Sequence, residues 1–326
     1  MIEFEFEEIE FCECIGEFDD EYVYDIEVDD DTHTFIANDI LVHNSLYISY
    51  ENLIKSIDGY DKLSNKKLSE ILVDINNLLL NDHNKQFMDE YYAKRYAKSI
   101  HEFELETVAL AGVWLNVKKR YAQILLWKDG KFFDEDDLPM KVKGLEVVKS
   151  SVPKLGRSSL KDLIRYLILN GNDKYIIHKL NMKVQEERQR FNTADIEDIC
   201  GSSQVNNYNK YISNDEDKDG LKVELKCPYN VRAVGNYNWI RNKYKLDGEP
   251  IYDGKVKYYI YNVPNSNRTD YFAFQGRKYP KWADKYAPIN RKLMFEKFVL
   301  DAFNRILEAI NINKLNVDGS IQTTLF

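Results

Sequence analysis

The first 44 residues alternate between apolar and acidic positions. Apolar side chains are interleaved with glutamates from Ile2 to Glu7, and a second run of the same kind covers residues 23–28. Alternation with a period of two is typical of a half-buried β-strand. Two shorter apolar runs flank a turn at Asn38-Asp39. The pattern predicts a small all-β unit, which buries too little apolar surface to fold without a partner that completes its sheet.

Most of the following chain has apolar residues at helical spacing instead. One stripe ends at Asn170-Gly171, a pair that favours a helix C-cap. Because such stripes usually pack into a core, they predict helices without chemistry of their own. The stripes comprise Leu68, Ile71, Leu72, Ile75, Leu78 and Leu79, then Phe87, Tyr91 and Tyr92, then Leu155, Leu160, Leu163, Ile164, Leu167 and Ile168, and finally the run from Met294 to Leu307.

Strand patterns interrupt the helical ones. Residues 103–108 alternate, and residues 113–133 form two β-rich runs joined at Lys128-Asp129-Gly130, which is a good hairpin turn. Farther along, the tyrosines of residues 258–261 suit the faces of another strand, where stacking on bases is an additional option. The mixture of these segments predicts a multidomain α+β protein.

Charge divides the chain at residue 44. Residues 1–44 contain 16 Asp and Glu and no Lys or Arg, which gives −16, whereas the 38 acids and 45 bases of residues 45–326 give +7. An acidic block of this kind suits a basic partner, and the basic remainder suits an anionic ligand such as nucleic acid.

Several classes of protein are excluded by composition. No apolar run approaches the roughly twenty residues of a membrane helix, and the acidic N-terminus is unlike a signal peptide. The four cysteines are few, and Cys12-x-Cys14 lacks a second pair of ligands at zinc spacing. We therefore expect no membrane partner, no metal site of the chain's own and a reducing cytoplasmic location.

His43, Asn44 and Ser45 stand where the two parts meet and offer a specific chemistry. The Asn44 side-chain amide nitrogen can attack its own main-chain carbonyl, which closes a succinimide ring and releases Ser45 as a new N-terminus. His43 can protonate the leaving amine because its ordinary pKa is near neutral. The Ser45 hydroxyl can take over an acyl group from a partner before that cut. This order of steps is that of protein splicing.

The preceding motifs resemble the two C-terminal blocks of an intein. They are residues 23–28, then Thr32-His33-Thr34-Phe35, then residues 38–45. The resemblance implies that Asp25 and His33 join His43 and Asn44 in a splicing centre that needs no cofactor. The alternative is that Asp25 is a strand-edge acid and His33 a turn residue.

The early blocks and the N-terminal nucleophile of an intein do not precede these motifs. We therefore expect residues 1–44 to be the C-terminal half of a split intein with a Hint-type fold, acting in trans. The N-terminal half-intein, carried by an upstream chain, should be basic, because complementary charge speeds the encounter of two partners.

Two short basic motifs lie in the second part. Lys118, Lys119, Arg120 and Tyr121 are consecutive, and Lys143-Gly144 continues the track. Adjacent cations on a strand point to both faces and repel one another, which favours a polyanion lying against them. Taken as charge alone, the same residues could form a solvated edge.

The motifs of the second part resemble those of family B DNA polymerases, and most closely those of T-even-type phages. Ser45-Leu46-Tyr47 resembles the residues that follow the catalytic Asp-Thr-Asp, and the two basic motifs resemble those that hold the primer–template. Residues 226–232, which end in Arg232, and a predicted hairpin at Asp253-Gly254 continue the likeness. The resemblance implies part of a palm at 45–142 and a mostly helical thumb with β-hairpins at 143–326.

This resemblance also implies how chemistry is shared with the upstream chain. The aspartates that bind catalytic Mg²⁺ would lie mainly on that chain, so this chain should not polymerise dNTPs alone. Glu106 matches a carboxylate near the family's active site, although a plain strand acid is the alternative.

The C-terminal tail, residues 320–326, carries one more motif. Gln322, Leu325 and Phe326 resemble the tether that binds a sliding clamp, although docking of the two apolar residues onto the thumb is the alternative. Together the motifs predict a trans-splicing fragment of a replicative DNA polymerase in the cytoplasm of a phage-infected bacterium. The second hypothesis is a thumb subunit with inactive splicing that binds DNA and clamp without covalent joining.

Overall fold

The computed structural model describes residues 34–37, 40–43, 49–79, 85–94, 105–115, 119–212, 226–276 and 279–316. The chain divides into two compact units, Met1–Lys62 and Leu63–Phe326. Eight predicted site residues lie outside the described residues: Asp25, His33, Asn44, Ser45, Lys118, Gln322, Leu325 and Phe326. His43 is described through its backbone alone.

The first unit contains a β-hairpin. Strand β1 (Thr34–Ala37) pairs antiparallel with β2 (Ile40–His43), and Ala37 stands opposite Ile40. Two residues therefore connect the strands, as the apolar runs around Asn38-Asp39 predicted. A short helix, α1 (Glu51–Lys55), follows.

The second unit begins with two helices, α2 (Asn65–Asn77) and α3 (Lys85–Ala93). The Ser64 hydroxyl caps α2 by accepting a hydrogen bond from the Lys67 amide at 3.2 Å. The prediction that the whole apolar stripe is core is wrong at its end. Leu78 and Leu79, which follow the last residue of α2, are 51% and 41% exposed. Phe87 of α3, which belongs to the next stripe, is 63% exposed.

A four-stranded antiparallel sheet follows. Its strands are β3 (Thr107–Trp114), β4 (Tyr121–Lys128), β5 (Lys131–Phe132) and β6 (Met140–Lys143). Asp129 and Gly130 have φ of 48° and 84°, so the predicted hairpin turn joins β4 to β5. All of β4 except Lys128 is buried, and both β3 and β4 contact α2.

Two long helices pack beside this sheet. They are α4 (Lys154–Asn170) and α5 (Ile176–Thr193), with α6 (Ile196–Ile199) after them. The predicted stripe of α4 is buried at Leu160, Leu163, Ile164 and Leu167. Gly171 ends α4 as predicted, but its φ of −58° is right-handed, so it does not supply the left-handed cap that glycine usually provides.

A three-stranded sheet contains β7 (Gly201–Val205), β8 (Gly254–Asn262) and β9 (Thr269–Phe274), and α7 (Tyr229–Lys243) lies between β7 and β8 in the chain. The hairpin predicted at Asp253-Gly254 is not present. Gly254 begins β8 and pairs with Val205 of β7 instead, because the Asp253 carboxylate accepts a hydrogen bond from the Tyr208 amide at 3.0 Å and anchors the chain there. The hairpin of this sheet joins β8 to β9.

The last elements are α8 (Ala283–Tyr286), α9 (Arg291–Phe295), a π-helical turn (Glu296–Leu300) and α10 (Asp301–Ala309). Their buried residues join one core that also includes Val113, Ala122 and α4. Strand β6 crosses the predicted palm–thumb boundary at residue 142. Tyr258, Tyr259 and Tyr261 are buried at 3%, 0% and 5% exposure, so stacking on bases is not open to them.

None of the helices in the described part of the chain combines the length and apolarity needed to cross a membrane.

Candidate nucleic-acid interface

The two basic motifs meet at one end of the four-stranded sheet. Tyr121 of β4 stands opposite both Trp114 of β3 and Lys143 of β6, and Lys141 stands opposite Gln123. The Leu115 amide donates to the Arg120 carbonyl at 3.0 Å, which extends the β3–β4 pairing beyond the strands. We call Lys119, Arg120, Lys141 and Lys143 the basic edge.

Gly144 allows the backbones of the two motifs to pack closely against each other. Its φ is 69°, and a Cβ placed on it would lie 2.3 Å from the Lys119 carbonyl oxygen and 2.9 Å from Arg120 Cγ. Lys119 also has a left-handed backbone, with φ of 60°. Only glycine lets the backbone after β6 approach the Lys119 peptide so closely. The Lys-Gly motif therefore shapes the loop that carries the other motif.

The cations of the basic edge differ in their partners. Lys141 forms an ion pair with Glu106, and its Nζ lies 6.0 Å from the centre of the Tyr121 ring. Lys119 and Lys143 are exposed and Arg120 is half-buried. No carboxylate among the described residues forms an ion pair with these three cations. Uncompensated cations at one edge can attract the phosphates of a polyanion.

Two predicted residues have structural surroundings that bear on their roles. Tyr121 is 6% exposed, so it supports the edge from within the sheet. Glu106 has an exposed carboxylate whose partner is Lys141. Its catalytic role stays a prediction.

Arg232 lies elsewhere, in a cavity of about 340 Å³ that we call the arginine pocket. The pocket is lined by Arg232, Ile260, Arg268, Thr269, Asp270, Tyr271 and Leu293. Arg232 Nε is 3.3 Å from an Asp270 carboxylate oxygen. That buried nitrogen forms no hydrogen bond with the described residues. The pocket thus contains two arginines and one acid.

Lys297 adds a further cation beside the arginine pocket. Its ammonium donates to the Tyr271 hydroxyl at 2.8 Å and lies 4.6 Å from the centre of that ring. The Arg232 guanidinium lies 5.9 Å from the same ring centre. Sequence reasoning missed Lys297, Arg268 and Asp270, because Lys297 sits within an apolar helical run and the other two lie in a polar turn and strand that carry no recognisable motif.

Two groups with shifted pKa are not candidates for chemistry. Burial raises the pKa of the Cys200 thiol well above its ordinary value, so it is not a reactive thiolate. Burial, followed by the neighbouring Tyr229, raises the pKa of Tyr258. In the described residues, no three His, Cys, Asp or Glu side chains come together as metal ligands.

Comparison with known proteins finds similar sequences among DNA polymerases. No family model matches the chain. It is 28% identical over 156 residues, 48% of its length, to the DNA-directed DNA polymerase of Escherichia phage RB69, and 31% identical over 150 residues, 46% of its length, to that of Enterobacteria phage T4. It is 25% identical over 307 residues, 93% of its length, to a DNA polymerase of Thermococcus litoralis.

The chain therefore has weak homology to family B DNA polymerases over part of its length. The matched regions cover 16%, 15% and 14% of these three relatives, so the chain corresponds to a small part of each.

Proposed function

We propose that residues 45–326 are the C-terminal part of a family B DNA polymerase and bind primer–template duplex. The observation that supports this best is the basic edge, where Gly144 packs against the Lys119 peptide. The two basic motifs, which resemble primer–template motifs, are adjacent in space there. Three of the cations at this edge form no ion pair with a described carboxylate. The arginine pocket, with Arg232, supplies a second contact to the same duplex.

The sugar–phosphate backbone is the feature of DNA that these side chains suit. Lysine and arginine at an exposed edge neutralise phosphates and release counterions, which gives affinity without reading sequence. In the assembled enzyme, Mg²⁺ would stabilise the charge of phosphoryl transfer, and the upstream chain would hold it. The described residues of this chain do not form such a site themselves.

We further propose that residues 1–44 join this polymerase part to its upstream chain by splicing. The Ser45 hydroxyl takes the acyl group from the upstream junction, and the upstream half-intein leaves with the proton. The Asn44 amide nitrogen then attacks its own main-chain carbonyl, the bond to Ser45 breaks, and His43 protonates the leaving amine. That amine attacks the ester, which restores the Ser45 hydroxyl and forms an ordinary peptide bond.

One observation supports the joining role. The acidic segment carries −16 and ends at the His43-Asn44-Ser45 junction.

Mixing this chain with an upstream chain that ends in a basic half-intein tests the proposal. We expect a ligated product on a denaturing gel, release of residues 1–44, and template-directed extension by the ligated enzyme but not by this chain alone. Ser45→Ala should abolish covalent joining, Asn44→Ala should stop the reaction at the branched ester, and added salt should slow the association of the two halves.

A non-covalent subunit is the second candidate, and the same experiment separates the two. If a chain with both Asn44→Ala and Ser45→Ala restores full extension without a covalently joined product, the covalent proposal fails. If neither mixture binds duplex DNA, the polymerase proposal itself fails.

A further inference from the structure

A second aromatic and cationic surface lies at the end of α7 opposite to Arg232. Tyr244, which follows α7, stacks on Tyr286, the last residue of α8, with ring centres 4.3 Å apart and planes inclined by 28°. Tyr244 is 44% exposed. Tyr244 is thus the more exposed ring of a stacked pair whose other ring, Tyr286, is partly buried.

Lysines adjoin this stacked pair. Lys243 Nζ is 4.4 Å from the centre of the Trp239 ring and 5.4 Å from that of Tyr244. Lys285 Nζ is 5.1 Å from the centre of the Tyr286 ring. We call Trp239, Lys243, Tyr244, Lys285 and Tyr286 the stacking platform.

Charge around the platform favours an anion. Lys243 and Lys285 are exposed, as are Lys245 and Lys281, and none of the four forms an ion pair with a carboxylate of the described residues. Asp247 and Glu249 are the exposed acids of the adjoining turn. Asp284, next to Lys285 in α8, is a third exposed acid.

We propose that the stacking platform binds single-stranded nucleic acid, with one base stacked on Tyr244 and the flanking phosphates near Lys243 and Lys285. Rings that alternate with cations are the usual means of binding a single strand without sequence preference. A duplex cannot use the rings, since its bases are already paired and stacked. A protein partner is less well matched, because lysines are depleted at the centre of protein–protein interfaces.

The platform is separate from Arg232 of the arginine pocket. Arg232 and Tyr244 lie near opposite ends of α7, twelve residues apart, which corresponds to about 18 Å along a helix. Single-strand binding here therefore does not depend on whether Arg232 binds duplex.

Fluorescence anisotropy with the full chain tests this, with a labelled twelve-residue oligothymidylate as the probe. Tyr244→Leu should weaken binding about tenfold, and Tyr244→Phe should leave it unchanged, because only leucine removes the stacking face. Lys243→Gln with Lys285→Gln should reduce the slope of log affinity against log salt by about 1.4, for two lost phosphate contacts.

Two controls make the result decisive. Lys174 and Tyr175 form a similar exposed pair on the turn before α5, with Lys174 Nζ 4.8 Å from the centre of the Tyr175 ring. Tyr175→Leu should leave binding unchanged. An abasic twelve-residue strand should bind the native chain about tenfold more weakly and be insensitive to Tyr244→Leu.

Three results would overturn the proposal. They are an unchanged affinity in Tyr244→Leu, an equal loss in Tyr175→Leu, or equal affinities for the abasic and thymidine strands. Thermal unfolding of each variant identifies any loss that arises from misfolding, and the comparison of abasic and thymidine strands on the native chain retains the test if Tyr244→Leu does not fold.

Discussion

Gly144 is a single residue whose missing side chain shapes a surface formed by others. Its left-handed backbone and its approach to the Lys119 carbonyl both exclude a Cβ. Resemblance picked out this glycine as part of a motif, whereas the structure gives the physical reason for its presence.

We predict that Gly144→Ala destabilises the protein by about 1–3 kcal/mol and weakens duplex binding, because the Lys119 peptide must move. Urea unfolding and anisotropy with a duplex measure the two effects. Gly130→Ala is the matched control, since Gly130 also has positive φ but has no atom within 4 Å of an added Cβ. Gly130→Ala should lower the free energy of unfolding without changing the affinity for duplex. An equal loss of duplex binding in both variants would contradict the packing argument.

Lys119 and Arg120 should act on DNA through charge alone. Replacing either with alanine should weaken duplex binding about equally across sequences and reduce the salt slope by about 0.9 for each lost phosphate contact. Lys128→Ala is the control, because Lys128 pairs with Asp129 at the opposite end of β4. A changed sequence preference would show that these residues read bases.

Asp270 restrains Arg232 through their ion pair. Asp270→Asn should strengthen duplex binding roughly fivefold, because a partly exposed ion pair costs about 1 kcal/mol to open. Binding titrations at two salt concentrations measure the gain, with Asp247→Asn as the control on an exposed acid of the turn after α7. If Asp270→Asn binds no more tightly, Arg232 serves packing instead.

At the scale of elements, the end of α5 is held by a residue from α9. Arg291 Nη1 donates to the carbonyls of Phe191 and Ala194, at 2.9 and 2.8 Å, so it satisfies groups that a helix end leaves unpaired. This contact joins the helical pair α4–α5 to the helices that carry Lys297.

Arg291→Met should therefore lower the free energy of unfolding by about 1–3 kcal/mol, since it leaves these carbonyls without their charged donor. Urea unfolding provides the measurement. Lys292→Met is the neighbouring control, because Lys292 is exposed, and it should change stability by less than about 0.5 kcal/mol. Similar losses in both would show that helix charge, not the contact, is responsible.

The π-helical turn is the element that periodicity predicted least well. The run from Met294 to Leu307 indicated one regular helix, and its apolar residues are indeed buried. The extra residue of a π-turn shifts the positions that follow it, and this turn contains Lys297, which contacts Tyr271. A pattern of apolar positions does not reveal which polar residue such a shift brings to a site.

At the scale of the whole molecule, the sequence motifs predict two attachments for the proposed polymerase, one to the upstream chain and one to a clamp. Removing Leu325 and Phe326 from the ligated polymerase should shorten products on long templates while sparing single additions. A tether acts by raising effective concentration, and it does not change chemistry. Primer extension with and without the clamp measures this, and unchanged product length would exclude the tether.

Local patterns predicted much of the architecture. The β1–β2 hairpin, the turn at Asp129-Gly130 and the buried stripe of α4 follow from alternation, positive-φ residues and helical spacing, which act over a few positions. The exposed Leu78 and Leu79 and the absent hairpin at Asp253-Gly254 were mispredicted. The exposure of Leu78 and Leu79 depends on where α2 ends, and the path of the chain at Asp253 depends on the distant Tyr208 amide. Neighbouring residues do not specify either one.

The sequence by itself determined the charge division at residue 44, the strand and helix types, and the two basic motifs, because composition and periodicity are properties of neighbouring residues. Only the tertiary structure decided that Gly144 touches Lys119, that Glu106 neutralises Lys141, and that Asp270 restrains Arg232. Each of these pairs joins residues at least 25 positions apart. Such contacts depend on the register of the strands and on the packing of the helices. A pattern of neighbouring residues does not specify either.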